Sequence, residues 1–187
     1  MSCGKLVINV GPMFSGKTTE LLRLYERKTH AGVPCILVKF AGDNRYSDNH
    51  VVSHKDVFGN CRQMPSVSLS FLRELEPLLM EARLLQNDIN TVFIDEIQFF
   101  PDKEYITQLL DKGINVTASG LIGDWKLKMF PGMSDLFAMA YDIKMFQSVC
   151  GFCKSENACY SKKITDKDGI GGSDMYRAAC RDCYNNS

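Results

Sequence analysis

Near its amino terminus the sequence contains a glycine-bounded loop that restricts the fold more than any other segment. This loop, Gly11-Pro-Met-Phe-Ser-Gly16-Lys17-Thr18, fits the pattern G-x-x-x-x-G-K-[ST]. Before it, residues 5–10 (KLVINV) form a β-branched run typical of a buried strand. After it, apolar residues at helical spacing predict a helix over residues 17–31, with Gly32 as its stop. This order of strand, glycine loop and helix lets backbone N–H groups and a helix N-terminus surround a phosphate.

The loop therefore predicts a binding site for the phosphates of ATP. Lys17 is placed to reach the β- and γ-phosphates, and the Thr18 hydroxyl is placed to ligate Mg²⁺. The alternative is a chance glycine-rich turn before a helix, and the flanking strand and helix argue against it. The predicted nucleotide-binding residues are Gly11, Pro12, Met13, Phe14, Ser15, Gly16, Lys17 and Thr18.

Strands and helices alternate along most of the remaining chain. Apolar runs predict further strands at residues 35–40, 91–95, 115–119 and 144–149. Helical periodicity predicts a helix over residues 68–86 that Pro77 interrupts, and a second helix that Asp102 caps and Gly113 ends. Residues 41–66 are polar and predict mostly loop.

This alternation predicts an α/β fold, a P-loop NTPase-like parallel sheet flanked by helices. Because this alternation ends near residue 149, we predict a P-loop ATP-binding domain over residues 1–149 and a small cysteine-bracketed, zinc-binding domain over residues 150–187.

Two acidic residues close the strand predicted at residues 91–95. Asp95 is the expected partner of Mg²⁺, directly or through water, from a strand neighbouring the phosphate loop. Glu96 is then the expected base or orienter for the attacking group. For either residue taken alone, a solvated strand end is the alternative.

Four of the eight cysteines form two C-x-x-C pairs, namely Cys150, Cys153, Cys180 and Cys183. Four thiolates at this spacing predict a closed, structural Zn²⁺ site, with free buried thiols or redox chemistry as alternatives. Such a site would clamp both ends of residues 154–179 and hold this polar segment over a substrate. A zinc ribbon can also bind nucleic acid, but the charges in this segment are mixed.

Composition narrows the functional classes further. Lys+Arg and Asp+Glu both number 22, so the basic face of a typical nucleic-acid binder is not expected. No apolar stretch approaches the roughly 20 residues that span a bilayer, and the first residues show no signal-peptide pattern. We therefore expect a cytoplasmic protein that contacts neither membrane nor nucleic acid.

Four segments in order along the chain, together with the two cysteine pairs, are similar to those of the type II thymidine kinases, the family of the cytosolic cellular enzyme and the poxviral enzymes. The segments are GPMFSGKTTE from Gly11, DNRYS from Asp43, IDEIQFF from Ile94 and IGGSDMY from Ile170, which lies between the cysteine pairs. The resemblance implies transfer of the ATP γ-phosphate to the 5′-hydroxyl of thymidine, with Mg²⁺, structural Zn²⁺, a homotetramer and inhibition by dTTP. It further implies that Glu96 is the general base and that Arg45 contacts phosphate or the transition state.

The same resemblance assigns a pocket for the thymine base. Trp125 stands where the family usually has phenylalanine, and Ser161 corresponds to a side chain near the thymine methyl group. Without the family, the apolar pocket residues would be assigned to ordinary core packing. The implied nucleoside-binding residues are Met13, Phe99, Leu121, Trp125, Phe130, Ser161 and Tyr176, with backbone groups of Gly169, Ile170, Gly171 and Gly172.

Two other functions compete with the nucleoside kinase. Asp95-Glu96-Ile97-Gln98 resembles a helicase box, so a P-loop ATPase acting on nucleic acid is one alternative. Helicases usually need two motor domains, for which 187 residues leave no room. The other alternative, a zinc-ribbon binding module with a degenerate phosphate loop, conflicts with the intact Lys17 and Thr18.

Overall fold

The fold is known from a computed structural model that describes residues 3–43, 50–53 and 60–186. Among these residues, no helix combines the length and the apolar character that a membrane crossing requires. Arg45, predicted as a catalytic residue, lies outside the described residues.

The centre of the fold is a six-stranded sheet in the order β5-β2-β6-β7-β1-β8. All five neighbouring pairs run parallel, which confirms the predicted parallel α/β sheet. Its strands are β1 (Leu6–Val10), β2 (Cys35–Phe40), β5 (Val67–Leu69), β6 (Thr91–Ile94), β7 (Asn115–Gly120) and β8 (Asp142–Met145).

Helices cover both faces of this sheet, as predicted. On one face, Leu6, Ile8 and Val10 of β1 pack with apolar residues of the helices that follow β5, β6 and β7. On the other face, Leu21 and Leu22 pack against β2 and β6. The helices are α1 (Lys17–His30), α2 (Leu75–Leu84), α3 (Tyr105–Asp111), α4 (Met133–Met139) and α5 (Arg181–Asn185).

Two small antiparallel pairs accompany the main sheet in the described part of the chain. Strands β3 (His50–Val52) and β4 (Gln63–Pro65) form one pair. Strands β9 (Tyr160–Lys163) and β10 (Tyr176–Ala179) form the other, and residues 164–175 join them. The cysteine-bracketed part of the chain is therefore a hairpin rather than a continuation of the main sheet. The division of the chain into domains at residue 149 stays a prediction.

Several element predictions need correction. Within residues 41–66, which we predict as mostly loop, β3 and β4 form short strands. Residues 67–69 form a strand that pairs with β2, whereas we predict a helix from residue 68. The last sheet strand is Asp142–Met145, earlier than the predicted residues 144–149. We predict no element for residues 133–139, which form α4.

Pro77 does not kink the helix in which it lies. A 3₁₀ turn (Leu72–Glu74) leads directly into α2, so Pro77 falls in the first turn of the α-helix. Proline is tolerated there because the first backbone N–H groups of a helix have no intrahelical partner.

Asp102 caps a different helix from the one that we predict. Its Oδ1 accepts a hydrogen bond from the Leu72 N–H at 2.8 Å, and its Oδ2 accepts one from the Arg73 N–H at 3.0 Å. The residue before α3 is Glu104, whose side chain makes no capping bond. Asp102 thus joins the start of α3 to the 3₁₀ turn about thirty residues earlier in the sequence, where it satisfies two unpaired donors.

We predict that Asp102→Ala destabilises the fold by about 1–3 kcal/mol, because it leaves two largely buried N–H groups without an acceptor. Urea unfolding monitored by circular dichroism measures this free energy. The matched control is Asp111→Ala, because Asp111 is an exposed aspartate at the end of α3. This variant should change the free energy of unfolding by less than about 0.5 kcal/mol. Equal stability of the two variants would contradict the capping role.

Candidate active site

The loop between β1 and α1 is shaped by two residues in left-handed conformations. Gly16, the residue before α1, has φ 86°, a conformation that glycine adopts without a Cβ clash. Phe14 has φ 63°, which costs a bulky residue on the order of 1–3 kcal/mol. Gly11 lies against the Phe146 carbonyl, where a Cβ would collide. The loop is therefore a wound turn that leads into the N-terminus of α1.

Lys17 and Thr18 lie where the phosphate-loop pattern predicts them. Lys17 is only 8 % exposed, and its Nζ donates a hydrogen bond to the Pro12 carbonyl at 2.6 Å. The Thr18 Oγ1 donates to the Asp95 carboxylate, with its oxygens at 3.1 and 3.2 Å. A hydroxyl and a carboxylate are thus adjacent, an oxygen pair of the kind that Mg²⁺ prefers.

The strand that carries Asp95 is not the neighbour of β1, so this detail of the prediction is wrong. Strand β7 lies between β1 and β6 in the sheet. Asp95 nevertheless reaches Thr18 because it follows β6 at the carboxyl edge, from which the phosphate loop also leaves.

Glu96 directly follows Asp95 and also has a left-handed backbone, with φ 53°. Gln98 holds its side chain: the Gln98 Nε2 donates to the Glu96 Oε2 at 2.6 Å. The Gln98 Oε1 in turn accepts the N–H of Leu121 at 3.0 Å. Gln98 itself is 3 % exposed, so the carboxylate of Glu96 is oriented by a buried amide that is itself fixed.

A cavity of about 520 Å³ extends from the phosphate loop to an apolar wall. In this wall the rings of Phe99 and Phe130 meet edge to face, with centroids 6.1 Å apart and planes at 82°. The predicted site residues that line the cavity are Met13, Phe14, Ser15, Gly16, Lys17, Thr18, Glu96, Phe99, Leu121, Trp125, Phe130, Ser161, Gly169, Ile170, Gly171 and Tyr176.

The structure places the other predicted site residues differently. Gly11, Pro12, Asp95 and Gly172 are not among the residues that line the cavity. The Gly172 N–H donates to Asp174 at 3.1 Å.

Three lining residues are additional to our predictions: Thr19, Gly123 and Asp124. The Asp124 Oδ1 accepts the N–H groups of Lys126 and Lys128, which shapes the turn after β7. Two of these residues could have been predicted from their position in the sequence. Gly123 and Asp124 lie between the predicted Leu121 and Trp125, at the carboxyl end of a parallel strand.

The four predicted metal ligands form a cluster at the base of the hairpin. The Sγ atoms of Cys150, Cys153, Cys180 and Cys183 all lie within 4.8 Å of one another, compact enough for one ion to bridge them. The Cys153 and Cys180 sulfurs are 3.6 Å apart. Four converging sulfur donors suit a soft, tetrahedral structural metal site.

Backbone groups favour the thiolate form at one of these ligands. Burial opposes ionisation of the Cys150 thiol. Backbone N–H groups nevertheless lower its pKa to about 6, and they belong to Cys153, Cys180 and Phe152. The Ser155 hydroxyl likewise lowers the pKa of Cys153. The hydrogen bond with Cys153 and burial instead raise the pKa of Cys183 to about 12, so the thiolate form is favoured at Cys150 and Cys153 and not at all four ligands.

The hairpin is joined to the cavity wall on both sides. The Tyr184 hydroxyl donates to the Trp125 carbonyl at 2.6 Å, and the Lys163 ammonium lies 5.2 Å from the centre of the Trp125 ring. On the other side, the Ser161 Oγ accepts the Met13 N–H of the phosphate loop at 3.0 Å. The cavity is thus closed jointly by the main sheet and the cysteine-bracketed segment.

Because the wound loop opens into this cavity, fold and site together define a P-loop nucleotide-binding protein with room for a second ligand. The model of the family "Thymidine kinase" matches residues 4–184. A thymidine kinase of fowlpox virus is 35 % identical over 191 residues, which cover 98 % of this chain and 98 % of its own. Thymidine kinase 1 of Dictyostelium discoideum is 36 % identical over 190 residues, covering 97 % of this chain and 78 % of its own. A thymidine kinase of Pseudothermotoga lettingae is 34 % identical over 193 residues, covering 97 % of this chain and 95 % of its own.

The chain therefore belongs to the thymidine kinase family. This membership makes it a phosphotransferase, and a kinase implies ATP and a divalent cation. It confirms the resemblance drawn from the sequence motifs.

We predict that the purified protein contains about one bound metal ion per chain and that Cys180→Ser loses it, because three thiolates hold the ion less well than four. Elemental analysis after gel filtration measures the amount of metal bound per protein chain. Cys159→Ser is the control, because Cys159 is exposed in the same segment but outside the cluster. Wild-type protein without metal would contradict the assignment.

Proposed function

We propose that the chain transfers the γ-phosphate of ATP to the 5′-hydroxyl of thymidine and so produces dTMP for nucleotide salvage. The observation that carries this proposal is the continuity of the cavity. Lys17 and Thr18 lie at one end, Phe99 and Phe130 lie at the other, and Glu96 lines the same space. Such a cavity suits a triphosphate and a nucleoside whose reacting atoms meet beside Glu96.

On the phosphate side, backbone N–H groups of residues 11–18 surround the β- and γ-phosphates of ATP. Lys17 exchanges its contact with the Pro12 carbonyl for the phosphate oxygens and stabilises the charge that develops there. Thr18 and Asp95 would hold Mg²⁺, which when bound neutralises phosphate charge. Arg45 is proposed as a further phosphate contact.

Glu96 acts as the general base. Its carboxylate accepts the proton of the thymidine 5′-hydroxyl as O5′ forms a bond to the γ-phosphorus. The bond between the γ-phosphorus and the bridging oxygen breaks, and ADP leaves with that electron pair. The hydrogen bond from Gln98 orients the carboxylate, and a positioned base contributes about 10²–10⁴-fold to a rate.

The nucleoside lies in the apolar part of the cavity. A flat pyrimidine fits between aromatic and aliphatic walls, and few polar groups are needed to orient it. We assign this role to Met13, Phe99, Leu121, Trp125, Phe130, Ser161 and Tyr176, all of which line the cavity. Deoxyuridine differs from thymidine by one methyl group, so it is proposed as a weaker substrate.

Backbone groups of residues 169–171 hydrogen-bond the edge of the base, whereas the Gly172 N–H already donates to Asp174. The Tyr176 hydroxyl donates to the Gly169 carbonyl at 3.1 Å, which supports the shape of this turn. Zn²⁺ is the proposed ion of the cysteine cluster, because four cysteine ligands are typical of structural zinc sites. The metal would brace the two ends of the segment that carries the turn.

The same cavity offers a route to feedback inhibition by dTTP. A molecule that carries both thymine and a triphosphate can reach the apolar wall and the phosphate loop together, and it would then exclude thymidine. The homotetramer and the cytoplasmic location are proposed by resemblance to the family.

A nucleoside panel tests the proposed function. The protein is incubated with ATP and Mg²⁺ plus thymidine, deoxyuridine, deoxycytidine or single-stranded DNA, and ADP and dTMP are quantified by chromatography. Thymidine should give the highest rate, and added dTTP should lower it. DNA-stimulated release of ADP would favour an ATPase acting on nucleic acid. No release with any acceptor would favour a zinc-ribbon binding module.

Glu96→Gln should lower kcat for thymidine by a factor on the order of 10² or more, because the amide cannot accept the proton. Its affinity for ATP, measured by calorimetry, should stay within about threefold of wild type, since neutralising this carboxylate removes no predicted ATP contact. Glu104→Gln is the control, an exposed glutamate outside the cavity. A Glu96→Gln variant as active as this control would exclude the base role.

A further inference from the structure

Phe14 stands out within the phosphate loop because a bulky residue rarely adopts φ 63°. The loop sequence alone does not explain what holds it there. Two hydrogen bonds join the loop to residues outside it: the Ser148 hydroxyl donates to the Phe14 carbonyl, and the Ser161 Oγ accepts from the Met13 N–H. Ser148 immediately precedes the cysteine-bracketed segment, and Ser161 lies within it.

The first of these bonds is made by Ser148, which lies between β8 and Cys150. Its hydroxyl donates to the Phe14 carbonyl at 3.0 Å, and its alternative acceptor, the Val149 carbonyl, is farther away at 3.5 Å. Ser148 is 9 % exposed. Its backbone is fixed by two hydrogen bonds with Ala158, at 3.0 and 2.9 Å.

The second bond is made by Ser161 on β9. Its Oγ accepts the N–H of Met13 at 3.0 Å, in a buried setting. Ser161 pairs with Ala178 of β10, so its position depends on the hairpin. The loop residues 13 and 14 are therefore held by two separate serines, one before and one after the first cysteine pair.

Packing adds a third contact between the loop and the hairpin. The Phe14 side chain packs against a small apolar cluster made by Cys150, Ala158, Ala178 and Cys180. Two of these residues are ligands in the proposed metal site. The base of the hairpin thus supports the side chain of Phe14 as well as its backbone.

Peptide geometry shows why these contacts matter for phosphate binding. In a planar trans peptide the C=O and N–H groups point in opposite directions. Since Ser148 holds the Phe14 carbonyl, the N–H of Ser15 in the same peptide unit points away from Ser148. In the same way, the Met13 N–H points to Ser161, and the Pro12 carbonyl on the opposite side accepts from Lys17 at 2.6 Å.

We propose that Ser148, together with Ser161 of the hairpin, is a positioning residue that holds the phosphate loop in the conformation that binds the triphosphate. The inference rests on the proposed binding of ATP by this loop. It gives the cysteine-bracketed segment a second task beyond the nucleoside pocket, namely control of affinity for ATP. Metal removal, which loosens the base of the hairpin, should then weaken ATP binding as well.

The test compares Ser148→Ala with wild type by calorimetric titration of ATP in the absence of nucleoside. Loss of one buried hydrogen bond should raise Kd for ATP on the order of threefold to tenfold. Kd for thymidine, titrated separately, should change by less than about twofold, because Ser148 does not line the cavity. Ser134→Ala is the matched control, since Ser134 is an exposed serine of α4.

A second pair of variants isolates the hydroxyl if Ser148→Ala folds poorly. Ser148→Thr and Ser148→Val have nearly the same shape, and only threonine can donate to the Phe14 carbonyl. ATP should bind more tightly to Ser148→Thr, while both variants should retain the same melting temperature and metal content.

Equal affinity of the Thr and Val variants for ATP would overturn the proposal. A parallel loss of ATP and thymidine binding with a lower melting temperature would also overturn it, since Ser148 would then support only the fold. These titrations measure the binding of ATP and thymidine and do not depend on catalysis. A wild-type protein that binds ATP but fails to phosphorylate thymidine would therefore refute the proposed function and leave this inference open to its own test.

Discussion

All strands of the main sheet run in one direction, and the position of every functional group depends on this. The chain leaves β1, β6 and β7 at the same edge, so residues far apart in sequence meet there. Thr18 and Asp95 are separated by 77 positions, yet they share a hydrogen bond. A parallel sheet is covered by helices on both faces, which explains why every residue of the central strand β6 is buried.

At this edge the chain turns through left-handed backbone at two residues other than glycine, Phe14 and Glu96. Each such residue costs on the order of 1–3 kcal/mol unless its surroundings offset the cost. At both residues a hydrogen bond from a buried side chain helps to offset this cost. Ser148 donates to Phe14, and Gln98 donates to Glu96. Hydrogen bonds of this kind fix the direction of a carbonyl or a carboxylate before any ligand arrives. The site is therefore largely built by the fold itself.

The parts of this protein that could be predicted from sequence are those whose signal is local. The phosphate loop and the buried strands are contiguous segments, and the paired cysteines repeat a short spacing. Asp102 shows what a local signal cannot predict. An aspartate beside a helix indicates a cap, but the sequence does not reveal that its partners are Leu72 and Arg73. The three-residue strands β3, β4 and β5 are too short for a periodic pattern, and pairing with distant strands decides their conformation. The apolar wall of the cavity is harder still to predict, since Phe99 and Phe130 have the sequence pattern of core residues until the fold brings their rings together.

The cysteine-bracketed segment also indicates what a metal at its cysteine cluster would contribute. Its strands have four residues each, and its buried side chains are mostly alanine and cysteine, which bury little apolar area. A core of this size stabilises a fold only weakly without a covalent or metal cross-link. The segment nevertheless supports Met13 through Ser161 and Trp125 through Tyr184. Since a metal ion would make this small support rigid, its effect would extend to both ends of the cavity, the phosphate loop and the aromatic wall.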